Sequence, residues 1–387
     1  VNNHLKTYFL NPGLSGIFFV WYSCFRNCFC FIIGSWIITS CSSEAKKEIA
    51  NRKSTDFIRY ANCLEIDSVS NGVKVHLIQP EQKDTFKFFL STQSTIAPNN
   101  YTFLKVPIQD LSVLSATQIG MLEKLGALSA VKAIADESYI FSPTLRSQVK
   151  NGKSLVIGQL DNISIERLLK SSAKAVVFSG FSGEFPHAEV LRKAGVKPIP
   201  IFDWKENHPL GKAEWIKFIG YLVGKQDEAN DYFKQLEIRY NQLKKDYSKR
   251  KGPTAFCGNV TGDIWYTPAG ESYHAELLKD AGANYRYSST KGVGSLSLSL
   301  ERVIKDNLTT QFWLNPGIPE LNRLRAIHPL IGQFSSVKTA HVFCYSQSMN
   351  KYWELAAIEP DKVLSDFIQI FYSKGKEKLY FYQKVTN

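Results

Sequence analysis

Three kinds of side chain in this sequence have types and spacings that could do chemistry. Aromatic residues recur just beyond short apolar runs: Tyr139, Phe181, Trp204, Trp265, Tyr266, Tyr352 and Trp353, with Arg146 close behind Tyr139. Broad aromatic walls with a few polar anchors suit large, flat ligands. Partial core packing accounts equally well for any one of them; their concentration in predicted strand-end loops is what lifts the group. Two glutamates repeat in one context, Ser164-Ile165-Glu166-Arg167 and Ser299-Leu300-Glu301-Arg302. The helix dipole explains either glutamate alone, since a carboxylate is favoured near a helix N-terminus. Histidines are the third kind. His76, His187, His208, His274, His328 and His341 show no paired spacing, whereas a zinc or manganese site needs three or four converging ligands. His208 and His328 each precede proline and are expected to begin helices. His187 and His274 could reach a groove. No metal site and no cofactor is expected.

Catalytic signatures are missing. The sequence has no P-loop, no G-x-S-x-G and no H-E-x-x-H. Gly292-Val293-Gly294 lacks the third glycine of a dinucleotide fingerprint. Asp203, Asp263 and Glu354 could make an acid/base pair only if the fold brought them together, and no catalytic residue is assigned.

The elements that must position these groups centre on residues 208–252. After Gly224 the apolar residues fall at Ala229, Phe233, Leu236, Tyr240, Leu243 and Tyr247, one stripe on one helix face. Nothing from Gln226 to Lys249 breaks a helix, and Gly252-Pro253 stops it. Such a rod is roughly 36 Å long at 1.5 Å per residue. On either side short apolar strands alternate with helical patterns, which predicts parallel sheets. The fold class is therefore α/β: two Rossmann-like lobes, residues 111–207 and 253–387, joined by one long α-helix. Residues 64–110 read as a small β-appendage. Ligand crevices in such sheets lie beyond the carboxyl ends of the strands, where the aromatic loops fall. Residues 258–270 and 345–354 are expected to be loops of this kind. Trp215 and Trp313 sit inside a helix and a strand and are expected in the core.

Composition narrows the class. The 387 residues are 44% hydrophobic and 13% aromatic, enough for large cores. The net charge of +12 is scattered, and its one dense run closes the long helix, where cations complement the dipole. No nucleic-acid motif accompanies it, so no nucleic-acid partner is expected. Residues 1–40 contain Lys6 and Arg26, no acidic residue, and an apolar run Phe29–Ile38 with the length of a signal-peptide core. The run leads into Ile38-Thr39-Ser40-Cys41, which resembles a bacterial lipobox although Thr39 and Ser40 replace the commoner Ala and Gly. Cleavage before Cys41 and lipidation there would anchor the protein on the outer side of a membrane through a flexible tether, residues 41–63. Cys257 and Cys344 lie in apolar strand patterns and are expected in the core.

From about Leu111 to Phe371 the chain resembles the substrate-binding proteins of iron-siderophore, haem and vitamin B12 ABC importers. The resemblance rests on VLSATQIGMLEKLG, IADESYIFSP, IGQLDNISIERLL, LRKAGVKPIPIF, HPLGKAEWIKFIGYLVG, YHAELLKDAGANY and LSLSLERVI, in this order and spacing. One departure is Ser171-Ser172-Ala173, where the family usually has Pro-Asp. The resemblance implies a monomeric binding protein, not an enzyme, with small hinge closure about a rigid helix. It implies a ligand in the interlobe groove, with a ferric siderophore favoured, a corrinoid next and haem third. It also implies that Glu166 and Glu301 dock onto arginines of the ABC transporter permease subunits. Two charges at a fixed separation would then give orientation and steering.

Overall fold

The computed structural model describes residues 58–80, 84–93, 96–181, 184–345, 349–373 and 378–387. The expected signal peptide (1–40), Cys41 and the first part of the tether lie outside the described residues. Strands β1 (Leu64–Val69), β2 (Gly72–Gln79), β3 (Asp84–Ser91) and β4 (Thr102–Lys105) form one sheet in that order, antiparallel except for the parallel β3–β4 pair. Alternation along β2 buries Val75 and Leu77, and these share a core with Phe202 of the following lobe.

Lobe one carries β5 (Leu111–Val113), β6 (Val131–Ile134), β7 (Leu155–Val156), β8 (Ala175–Ser179) and β9 (Lys197–Ile201). Their order is β7-β6-β5-β8-β9 and every pairing is parallel. Parallel strands need crossovers, supplied by α1 (Ala116–Lys124), α2 (Pro143–Lys150), α3 (Ile165–Lys170) and α4 (Ala188–Lys193). Serines start two of them: Ser142 Oγ accepts from Leu145 N and Ser164 Oγ from Arg167 N.

The connection runs through α5 (Pro209–Glu214), α6 (Ile216–Val223) and α7 (Gln226–Tyr247). Gly224, at φ +70°, ends α6 in the left-handed region and frees the chain to turn into α7. Gly220 lets the two helices touch, since a Cβ there would lie 2.7 Å from the Ala229 side chain. The 22 residues of α7 span about 33 Å. Ala229, Phe233, Leu236 and Tyr240 are buried, the stripe the spacing predicts.

Lobe two has β10 (Thr254–Cys257), β11 (Asn259–Thr261), β12 (Ile264–Pro268), β13 (Asn284–Tyr285), β14 (Ser295–Ser299), β15 (Phe312–Leu314), β16 (Val342–Cys344) and β17 (Gln383–Lys384). Its main sheet runs β13-β10-β15-β16-β17, parallel except for the last strand. A second, antiparallel sheet runs β11-β12-β14, and its first two strands occupy residues 258–270, expected to be a loop. Helices α8 (Tyr273–Asp280), α9 (Leu300–Asn307), α10 (Leu321–Ile327), α11 (Ser335–Lys338), α12 (Met349–Leu355) and α13 (Pro360–Tyr372) surround the sheets. Trp313 is buried against Phe256 and Phe334, with ring centres 5.4 and 5.7 Å away. Cys63, Cys257 and Cys344 are buried.

Residues 59–63, expected to end the flexible tether, are instead fastened to the body. The backbone N–H groups of Arg59, Tyr60 and Ala61 donate to the Glu214 carboxylate, and those of Asn62 and Cys63 to Glu206. Both glutamates are fully buried, and Lys217 Nζ donates to Glu214 at 2.7 Å. Burial raises the Glu206 carboxyl to about 7 against the pull of its N–H donors. Removing Glu214 takes the acceptor from three part-buried backbone donors and from the Lys217 ammonium. Glu214→Ala should therefore lose roughly 3 kcal/mol of stability, read as a lower urea midpoint with an unchanged slope.

Candidate functional site: the interlobe groove

Parallel strands put all their carboxyl ends on one edge of a sheet, so the loops after β6, β8 and β9 share one rim of lobe one. Tyr139 stands on the single 3-10 turn Glu137–Tyr139 after β6 and is 40% exposed. Phe181 follows β8 and is 45% exposed. Trp204 lies in the turn Asp203–Lys205 after β9, with its ring centre 4.8 Å from that of Phe181. Lys205 Nζ sits 4.2 Å from the centre of the Trp204 ring. The indole N–H of Trp204 is buried with no hydrogen-bond partner among the described residues. Phe181, Trp204 and Lys205 thus make an aromatic platform with an adjacent cation, suited to a flat or anionic surface. Phe141, 40% exposed and two residues beyond Tyr139, belongs to the same rim. Sequence reasoning passed it over, although the alternation Tyr139-Ile140-Phe141 around the buried Ile140 was there to be read. Arg146 is exposed, but its Nε donates to Ile140 O at 2.8 Å and closes this loop.

Lobe two corrects three expectations. Trp265 is fully buried, and its Nε1 donates to Cys257 O at 3.0 Å. The reason is the hairpin: residues 258–270 form strands, whose period of two turns Trp265 into the core and leaves its neighbour Tyr266 half-buried on the other face. Tyr352 is also buried, stacked on Tyr345 with ring centres 3.9 Å apart. Tyr352, Trp353 and Glu354 lie on α12 rather than on a loop. Trp353 is half-buried at the junction with lobe one, where its carbonyl accepts from Thr117 Oγ1 at 3.3 Å.

The lobes meet directly at this junction. Asn350 Nδ2 donates to Ser138 O at 2.7 Å. Glu354, fully buried, accepts from the N–H groups of Phe141 and Ser142. A Cβ on Gly120 would lie 2.0 Å from Glu354 O, so α12 rests on α1 only because that residue is glycine. Burial pushes the Glu354 carboxyl up to about 7; the two N–H donors oppose the rise and nearby Glu123 adds to it. Lys124 Nζ lies 2.8 Å from Glu359 Oε1 beside this contact.

The other titratable groups form no catalytic set. Asp203 is buried with Lys212 Nζ at 3.9 Å, Asp263 is exposed at the hairpin turn, and Glu354 caps α2. His274 is buried, with Nε2 3.8 Å from Cys257 Sγ, and burial lowers it to about 4. His187 is exposed at the start of α4. Ligand atoms of His208, Glu276 and Asp280 lie within 4.8 Å of one another. The Lys244 ammonium already holds that cluster, 3.0 Å from Asp280 Oδ1 and 3.3 Å from Glu276 Oε1. His208 Nδ1 also accepts from Leu210 N at 3.1 Å, which leaves the proton of the neutral ring on Nε2.

Glu166 and Glu301 occupy equivalent places. Each is exposed in the first turn of a helix begun by serine, Ser164 for α3 and Ser299 for α9. Each helix leads into a strand, β8 or β15, that pairs with the first strand of its lobe's main sheet. The repetition is topological as well as sequential.

Two parallel-sheet lobes on a long connecting helix, with aromatic strand-end loops at the groove, define a bilobed binding protein rather than an enzyme. The chain matches the family described as Periplasmic binding protein over residues 111–348, more than half its length, and belongs to that family. An uncharacterized lipoprotein of Methanocaldococcus jannaschii is 24% identical over 317 residues, 76% of this chain and 75% of that relative. The triscatecholate siderophore binding protein FeuA from Bacillus subtilis, complexed with ferri-bacillibactin, aligns with a TM-score of 0.54 at 16% identity, over 72% of this chain and 97% of FeuA. The periplasmic vitamin B12 binding protein BtuF of Vibrio cholerae aligns with a TM-score of 0.52 at 13% identity, over 70% of this chain and 99% of BtuF.

The burial contrast gives a direct check. Trp265→Ala should cost about 3–5 kcal/mol of stability, as for other large core aromatics. Phe181→Ala should change stability by under about 1 kcal/mol. Paired urea melts test this, and equal losses would contradict the placement of the two rings.

Proposed function

We propose that this protein captures an iron chelate of the ferric siderophore type in its interlobe groove and delivers it to the permease of an ABC importer. The observation that carries the reading is the lobe-one platform of the Phe181 ring against Trp204, with Lys205 over the indole, on the rim facing lobe two. Tyr139 and Tyr266 complete the ligand wall, with Phe141 added and Arg146 holding the Tyr139 loop. Trp353 borders the groove at its closed end. The net charge of +12 favours an anionic chelate. The resemblance of the fold to both FeuA and BtuF keeps a corrinoid as the second reading, with haem third. Tryptophan-fluorescence titration with ferric catecholate and hydroxamate chelates, cobalamin and haem tests the order. Quenching by iron chelates at sub-micromolar concentration is expected; saturation by cobalamin alone would reverse it.

In this reading Glu166 and Glu301 are the permease contacts, and α7 sets the distance between them. Exposed charges on two separate lobes contribute steering and orientation rather than ligand affinity. The double variant Glu166→Ala with Glu301→Ala should keep chelate affinity and lose most permease-dependent uptake; normal uptake would refute the assignment. Anchoring follows the same logic. A cleaved signal peptide ending before Cys41, with lipid on that cysteine, would hold a monomer on the periplasmic or cell-surface side of a membrane. The lipoprotein relative supports this location, and among the described residues no helix is long and apolar enough to cross a membrane. The boundaries at residues 64, 111, 208 and 253 are proposed as the limits of appendage, lobe one, connector and lobe two.

A further inference from the structure

We propose that Glu354 is a positioning residue for the groove: it latches α12 of lobe two onto the start of α2 in lobe one, and its release widens the groove. The proposal rests on the groove being the ligand site, but the contact itself is independent of any ligand. Four observations converge on it. The Glu354 carboxylate accepts the backbone N–H groups of Phe141 and Ser142, which otherwise would be unpaired at the first turn of α2. Asn350, one turn earlier on α12, donates to Ser138 O. Ser142 Oγ donates to Glu123 Oε1 at 2.8 Å, which ties the capped turn back to α1. Gly120 lets the α12 backbone lie against α1. Tyr139 and Phe141 lie within the latched stretch from Ser138 to Ser142, so the same contact fixes two aromatic groups of the rim.

A buried carboxyl at this junction couples closure to protons. The charged groups facing Glu354 are Glu123 of α1, which disfavours its ionised form, and Arg146 of α2, which favours it. Lys124 of α1 is paired with Glu359. Lys351 of α12 turns away, its Nζ donating to Tyr380 O at 2.7 Å. Asp136, before the Tyr139 turn, accepts from Ser138 N at 2.8 Å. In the closed arrangement Glu354 rises from 4.5 to about 7, while an opened groove returns it to water and its ordinary range. A raised carboxyl favours the protonated, closed form. The stabilisation is complete below pH 4.5 and is lost as pH rises through about 7. Acid therefore holds the groove shut, and neutral to alkaline conditions loosen it.

Hydrogen–deuterium exchange of the ligand-free full chain reads the latch at its own donors, the amides of Phe141 and Ser142. After correction for the intrinsic pH dependence of exchange, their protection should fall more than tenfold between pH 5 and pH 8. Glu354→Gln, which keeps the shape and removes the titration, should show equal protection at both values. Glu354→Ala should lose the protection at both, and Asn350→Ala should weaken it at pH 5 without changing any charge. Glu123→Gln should retain the fall with pH. Constant protection in the unmodified protein would overturn the proposal. So would a fall that survives Glu354→Gln or disappears only in Glu123→Gln. Because no ligand is present, these outcomes are separate from the titrations that test the ligand reading.

Discussion

The structure depends on how lobe two is fastened to α7. Tyr240 Oη donates to Asp280 Oδ2 at 2.7 Å, and Lys244 lies 3.0 Å from the other oxygen of that fully buried carboxylate. Arg239 Nε donates to Asp361 Oδ2 at 2.6 Å, and Tyr232 Oη to Ile358 O at 2.9 Å. The seam runs along one side of a helix whose apolar stripe is already buried. A buried carboxylate without partners is costly, so Asp280 has little freedom to leave Tyr240 and Lys244. Burial raises its carboxyl, while these two partners and their hydrogen bonds draw it back. The same seam explains why His208, Glu276 and Asp280 make a structural network although their ligand atoms converge.

The connector's own helices and the start of the described chain are held differently. Gly220 and Ala229 bring α6 and α7 into close contact, and the Glu206 and Glu214 carboxylates bind five consecutive backbone N–H groups, Arg59 to Cys63. That arrangement places the start of the described chain firmly on the connector. The aromatic rim and the start of the described chain are thus supported by separate sets of contacts.

Between the lobes, hydrogen bonds from Asn350 and to Glu354 sit beside apolar packing, in which Tyr352 and Leu355 share a buried cluster with Met121 and Leu122. The aromatic platform of Phe181 and Trp204 sits on short turns after adjacent parallel strands, so its geometry follows from the sheet.

The sequence by itself determined the periodic features. The stripe from Ala229 to Tyr240 predicts α7, the alternation of apolar runs and helical patterns predicts two parallel-sheet lobes, and the serine-capped glutamates predict equivalent helix starts. These rest on local periods of 3.6 and 2 and on capping chemistry, which neighbouring residues carry among themselves. What tertiary structure decided is which aromatic side chains are left for the groove. Trp265 and Tyr352 had the same residue types and similar surroundings in sequence as Tyr139 and Phe181. Trp265 went inward because β12 pairs with β11 and β14, and Tyr352 because Tyr345 and Tyr382 close over it. The roles of Glu354, Glu206 and Glu214 were equally hidden, since their partners lie 143 to 213 residues away. Side-chain burial and long-range carboxylate capture depend on which surfaces the fold brings together, and no local pattern records that.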